Sequence, residues 1–265
     1  DMGPVVASLN ASSNASSNAS SSASLNATTL AAATFRLSFN FTRIAASLDF
    51  IVRELGMQPY VELSFMPSML ASDVNQTYLY YKAIVSPPEK LELWAAFMTA
   101  FADFLVDRYG ADEVCAWYFE VWNEPDLRQP IVGGFWSGTM DDYFAMYAAT
   151  ATALKSVHGG CLHVGGPATS NTVKWIAPFL NYTDARNVPV DFISAHAYPS
   201  GDDRDALTNI VAQAATIADK QSLPFVLSEF NSGLGLFCCH DTEYAAAFLA
   251  YTAIRMQQQQ QQQQQ

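Results

Sequence analysis

Between residues 35 and 255 the chain alternates short runs of β-branched and aromatic residues with longer stretches that carry apolar side chains at helical spacing. This alternation constrains the fold more than any other feature of the sequence. Residues 59–65, 118–122, 162–165, 190–195 and 225–228 suit strands. Ile44, Leu48, Ile51, Val52 and Leu55 recur at helical spacing before the first strand, and Gly56 suits the position that ends a helix. Helices are expected at 89–109, 141–157, 173–180, 207–217 and 242–255. The helix at 89–109 carries a stripe of Trp94, Phe97, Met98, Phe101, Phe104 and Leu105, which reads as core. Strands that alternate with helices build a parallel sheet with crossovers. An open doubly wound sheet and a (β/α)8 barrel both satisfy this pattern. The barrel is preferred because polar residues leave the ends of several strands rather than line one crevice.

Outside this unit the chain changes character. Residues 1–34 are a short turn-like start and an Asn/Ala/Ser tract, in which residues 7–24 hold the single large apolar residue Leu9. Such a segment cannot offset its ordering entropy and is expected to be disordered. Residues 35–256 form the folded unit. Residues 257–265 are glutamines, a tract that builds no core.

With 265 residues, 50% of them hydrophobic, the chain can bury one large core. Its net charge of -12 and 13 lysines and arginines exclude the basic face that nucleic acid requires. No apolar run approaches the ~20 residues of a membrane span, and the stretch from Asp1 shows no charged n-region or apolar h-region of a signal peptide. Cys115, Cys161, Cys238 and Cys239 lack the spacing of a zinc or redox site, and read as buried thiols or one disulfide. Asn10, Asn14, Asn18, Asn26, Asn40, Asn75 and Asn181 each open an Asn-x-Ser/Thr triplet. Asn75 and Asn181 fall in expected loops, which fits a secreted or endomembrane, lysosome-like location.

Chemistry is concentrated where strands stop. Residues 118–122 run straight into Asn123-Glu124-Pro125, and Pro cannot go on pairing in a central strand. A carboxylate is therefore delivered at a strand's end, where barrel enzymes keep their reactive groups. Alone, this triplet reads as readily as a turn. Glu229 ends a later strand in the same way. Three βα units separate the two over 105 residues, against about 94 expected for three barrel units. Strands three apart in an eight-stranded barrel face each other across its mouth, so Glu124 and Glu229 can bracket one bond. Two such carboxyls support glycoside cleavage, one protonating the leaving oxygen. At about 5–5.5 Å apart the other attacks the anomeric carbon with retention, and at about 6.5–9.5 Å a water fits between and the outcome is inversion.

Other polar groups are weaker signals. Glu62 lies inside an apolar strand and reads as a satisfied interior residue more readily than as a site residue. His196 alone reads as structural. Tyr78, Tyr80 and Tyr81 sit in a long loop after the first strand, where their rings either pack or face a sugar. Gly165-Gly166-Pro167 is a tight strand exit, since no G-x-G-x-x-G pattern or following lysine marks a phosphate loop. No cofactor or metal is expected.

Five ordered stretches carry a resemblance: residues 59–67, 119–125, 165–168, 191–199 and 228–232. Together they resemble glycoside hydrolase family 39, the family of β-xylosidases and α-L-iduronidase on a retaining (β/α)8 barrel. The resemblance implies a carbohydrate substrate, Glu124 as acid/base, Glu229 as nucleophile, Asn123 at the sugar 2-hydroxyl, and His196 and Tyr198 beside the nucleophile. His196-Ala197-Tyr198 and Glu229-Phe230-Asn231 are closer to the β-xylosidase branch, because the iduronidase branch is expected to carry a basic residue after this histidine. By the same resemblance Asp1-Met2-Gly3 looks like the loop just after the family's strand 2, and the glutamine tract begins where the family would continue to strand 8. The fold class is then a partial (β/α)8 barrel of about strands 3–7. A catalytically incomplete sugar-binding protein on the same fold is the rival reading. A lyase or isomerase lacks support, since no phosphate loop or metal cluster accompanies the strands.

Overall fold

The computed structural model describes residues 7–10, 36–127, 134–170, 173–199, 205–219, 221–233 and 240–263. Strands β1 (Ala7–Asn10) and β2 (Arg36–Phe39) pair antiparallel. Ala7–Asn10 thus differs from the expectation of disorder. Ladder hydrogen bonds come from the backbone and need no apolar side chain. Helix α1 (Thr42–Asp49) follows, its first amide satisfied by Asn40 Oδ1 at 3.0 Å, and it runs on into a π-helical turn, Phe50–Glu54.

The remaining elements are β3 (Tyr60–Leu63), a small hairpin of β4 (Thr77–Tyr78) and β5 (Ala83–Ile84), α2 (Leu91–Tyr109), α3 (Ala111–Val114), β6 (Tyr118–Val121), α4 (Met140–Ser156), β7 (His163–Thr169), α5 (Ile176–Arg186), β8 (Phe192–Ala197), α6 (Ala206–Asp219), β9 (Phe225–Phe230) and α7 (Glu243–Gln263). The hairpin gives paired structure to what the sequence suggests is plain loop. Strands β3, β6, β7, β8 and β9 lie side by side in chain order, all parallel, with a helical crossover between each pair. These are five consecutive units of a (β/α)8 barrel. Among the described residues β3 and β9 each pair on one side only.

Helix α2 buries Trp94, Phe97, Met98, Phe101, Ala102 and Leu105, the stripe expected from sequence apart from Ala102 in place of Phe104. It packs on α4, where Trp94 Nε1 donates to Thr150 Oγ1 at 2.8 Å. Thr139 and Asp142 form a capping box that starts α4. A disulfide joins Cys115 to Cys161, tying the approach to β6 to the approach to β7. Cys238 and Cys239 lie outside the described residues. Helix α7 continues past Arg255 into the glutamines, because extending a formed helix with good helix formers costs little. Gln257 and Gln258 are exposed. No helix among the described residues is long and apolar enough to cross a membrane.

The inner face of the sheet is layered, because alternate residues of each strand point the same way. The lowest layer is aromatic. Tyr60 stacks on Tyr118, Tyr118 stacks on His163, and Phe192 leans on both tyrosines. Above it lies a polar layer of Glu62, Glu120, Ser194 and Ser228. Above that the strands end in the candidate site. Gly165 lets β7 and β8 close up at this point: a Cβ there would lie 2.4 Å from the carbonyl oxygen of Phe192.

Candidate active site

Glu124 sits just beyond β6 and Glu229 near the end of β9. Trp122 and Glu124 both take left-handed backbone conformations, with φ of 72° and 44°, a state that costs about 1–3 kcal/mol at a non-glycine residue and persists only where its surroundings hold it. One such restraint is the Glu124 amide, which donates to the carbonyl of Ala168 at 3.0 Å. Another is Asp126, whose carboxylate accepts from the amide and hydroxyl of Ser170 at 2.8 and 2.6 Å. Together they tie the loop after β6 to the end of β7. Burial pushes the Asp126 carboxyl above its usual range, against the two bonds from Ser170.

The two glutamates meet around His196, the penultimate residue of β8, which is fully buried. His196 Nδ1 lies 3.0 Å from Glu124 Oε1 and 3.4 Å from Glu229 Oε2. One atom from each of the three residues falls within 4.8 Å of the others. Burial disfavours the imidazolium, but the bond to Glu124 and the charges of Glu229 and Glu120 outweigh it and raise the pKa of His196. Tyr198 donates its hydroxyl to Glu229 Oε2 at 2.8 Å. Burial and that carboxylate raise the phenol's pKa and keep it a donor. Register explains the convergence: a shift between Ala195 and His196 sets His196 opposite Glu229 across the β8–β9 pair.

Asn123 lies between the two left-handed residues, and its Oδ1 is buried without a hydrogen-bond partner among the described residues. A buried acceptor left open in this way is suited to a donor hydroxyl from a ligand. Every site residue expected from sequence therefore lies at one end of the sheet, and four of them are joined by contacts below 3.5 Å. As a donor set, one imidazole and two carboxylates at this spacing could also take a divalent ion.

Beside the site, Phe65, Trp122, Phe135 and Tyr78 form an aromatic wall. Tyr78 is part of this packing, with its ring edge-on to Phe135 at 4.9 Å. Tyr80 is 92% exposed at the hairpin tip. Glu62 accepts from Ser64 Oγ, as expected of a satisfied interior residue. Burial, opposed by the Ser64 bond and reinforced by the charges of Glu120 and Glu229, pushes its carboxyl up to about 7. Glu120 and Asp126 are not among the candidate residues that stand out in the sequence. A carboxylate between Phe119 and Val121 is the same signal that singled out Glu62, and could have found Glu120.

Residues 27–264 match the family model described as glycosyl hydrolases family 39. A β-xylosidase of Caldicellulosiruptor saccharolyticus is 38% identical over 232 residues, which cover 82% of this chain and 46% of that protein. The α-L-iduronidase of Homo sapiens is 29% identical over 143 residues, covering 54% of this chain and 19% of that protein. Among solved structures, a monomeric β-xylosidase from Caulobacter crescentus CB15 superposes with a TM-score of 0.74 at 29% identity, over 84% of this chain and 47% of that one. The chain spans about half the length of the β-xylosidases it matches.

Proposed function

The chain belongs to glycosyl hydrolases family 39, and on that premise we propose that it carries the reacting pair of a retaining, β-xylosidase-like glycosidase. Glu124 is the acid/base and Glu229 the nucleophile. The observation that carries this reading is their convergence from strands three apart, with carboxylate oxygens within 4.8 Å. That spacing suits direct attack, for which carboxyl groups stand about 5–5.5 Å apart, better than the about 6.5–9.5 Å that admits a water for inversion.

In the first step Glu229 attacks the anomeric carbon as Glu124 protonates the departing oxygen, and a glycosyl ester forms on Glu229. In the second, Glu124 takes a proton from water, the water attacks the same carbon, and Glu229 leaves with configuration retained. Tyr198 orients the attacking oxygen of Glu229 through its 2.8 Å bond. His196 fixes both carboxylates from one buried ring nitrogen. The open Oδ1 of Asn123 accepts the sugar hydroxyl next to the reacting carbon.

The β-xylosidase branch is favoured over the iduronidase branch by Tyr198 at the position after Ala197. The Cys115–Cys161 disulfide and the exposed Asn75 favour an oxidising secretory route. Asn181, by contrast, lies on α5 and not in a loop, with Thr183 of its triplet buried, which counts against modification there.

The test is hydrolysis of an aryl β-xyloside by the protein that carries this chain. Glu124→Gln is expected to lower turnover by about 10²–10⁴-fold, and Glu229→Gln to abolish it. Unchanged turnover in either variant would refute the assignment. A sugar-binding protein without turnover on the same fold is the second reading. Xylo-oligosaccharide binding with no release of reducing sugar would support it.

A further inference from the structure

Below Glu124 and Glu229 lies a second pair of glutamates that the reaction does not use. Glu62 on β3 and Glu120 on β6 stand opposite each other in the parallel register, both on the inner face. Glu120 is 1% exposed. Its carboxyl accepts from Tyr60 at 3.0 Å and from Ser228 at 2.7 Å, and hydrogen-bonds Ser194. A carboxylate accepts from all three hydroxyls as they stand, whereas a carboxylic acid requires one of them to turn and accept its O–H. Burial raises the Glu120 carboxyl above its usual range, and the clasp of three hydroxyls, with the charge of His196, opposes this and favours the ionised form. An ionised neighbour one strand away makes ionising Glu62 costly, as when two carboxyls share a site.

Two routes lead from Glu120 to the reacting pair. Ser228 is the residue before Glu229. Ser194 Oγ accepts the amide of Ala168 at 3.1 Å, and the carbonyl of Ala168 accepts the amide of Glu124 at 3.0 Å. One buried carboxylate thus anchors the backbone at both catalytic glutamates.

We propose that Glu120 is a positioning residue, held ionised to fix Glu124 and Glu229, and that Glu62 carries the one proton of the Glu62–Glu120 pair. The positioning role rests on the glycosidase reading; the protonation of the pair does not. The upward push on the Glu62 carboxyl fits this arrangement. Glu229, His196, Tyr81 and Tyr198 also face Glu62, while Tyr60, Tyr143 and His196 face Glu120. The tyrosines are all raised and stay neutral near pH 7, so Glu229 and His196 supply the other charges the pair feels.

The test is a carbon-13 titration of this chain labelled at its glutamate carboxyls. One carboxyl is expected to titrate near pH 7 and to disappear in Glu62→Gln. Its midpoint should fall in Glu120→Gln, which removes the neighbouring charge, while burial still holds it above the ordinary glutamate range. Ser228→Ala, which loosens the clasp and changes no charge, should lower it by less, and it carries the test if Glu120→Gln does not fold. In the parent enzyme Glu120→Gln should lower kcat by about 10²-fold, the scale of a 1 Å misplacement, and leave KM nearly unchanged. Absence of a carboxyl titrating near neutrality, or a midpoint unmoved by Glu120→Gln and Ser228→Ala, would overturn the proposal. A titrating pair in a protein that hydrolyses nothing counts against the glycosidase reading and not against the pair.

Discussion

At the scale of single residues, the site depends on hydrogen bonds to charged groups, each worth about 1.5–3 kcal/mol. Tyr198 makes one such bond to Glu229. Tyr198→Phe is therefore expected to lower kcat/KM for an aryl xyloside by about 10–100-fold, with folding intact by circular dichroism. A loss smaller than twofold would show that the phenol does not act on Glu229. Glu124 and Glu229 were legible in the sequence because each sits where an apolar strand stops, which is a local pattern. Glu120 was not singled out, because its meaning comes from hydroxyls on β3, β8 and β9. No local pattern shows that Tyr60, Ser194 and Ser228 converge on one carboxyl. The left-handed backbone at Trp122 and Glu124 was equally hidden, since neither position holds a glycine.

At the scale of elements, helical and strand periodicity gave the order of the five βα units, and the parallel sheet follows from it. Three things escaped. The β4–β5 hairpin is too short to show alternation. Strand β1 lies in a segment whose side chains carry no strand signal, and backbone bonds pair it with β2. Which cysteines pair depends on β6 and β7 being neighbours, and spacing cannot supply that. The Cys115–Cys161 bond closes a sequence separation of 46 residues. Reducing it, or replacing both residues with serine, is expected to cost about 2–4 kcal/mol of stability. Urea unfolding with and without reductant measures this, and equal midpoints would mean that the bond does not constrain the unfolded chain.

At the scale of the whole molecule, the described part of the barrel is an open sheet. Tyr60 and Tyr118 belong to the inner aromatic layer yet are 40% and 36% exposed. Strands β3 and β9 each have one edge without a strand partner among the described residues. Open edges beside apolar surface favour pairing with other chains. This chain expressed by itself is expected to associate with increasing concentration, as followed by light scattering behind size exclusion. A monodisperse monomer across the concentration range would contradict that view.

The reaction assigned to Glu124 and Glu229 is tested most directly by trapping its intermediate. The protein carrying this chain would be incubated with a 2-deoxy-2-fluoro xyloside bearing an activated leaving group, then digested and mapped by mass spectrometry. The account predicts one covalent fluoroxylosyl group, on the peptide that contains Glu229, formed more slowly in Tyr198→Phe. A label on any other carboxyl, or turnover of the reagent with no covalent adduct, would contradict it.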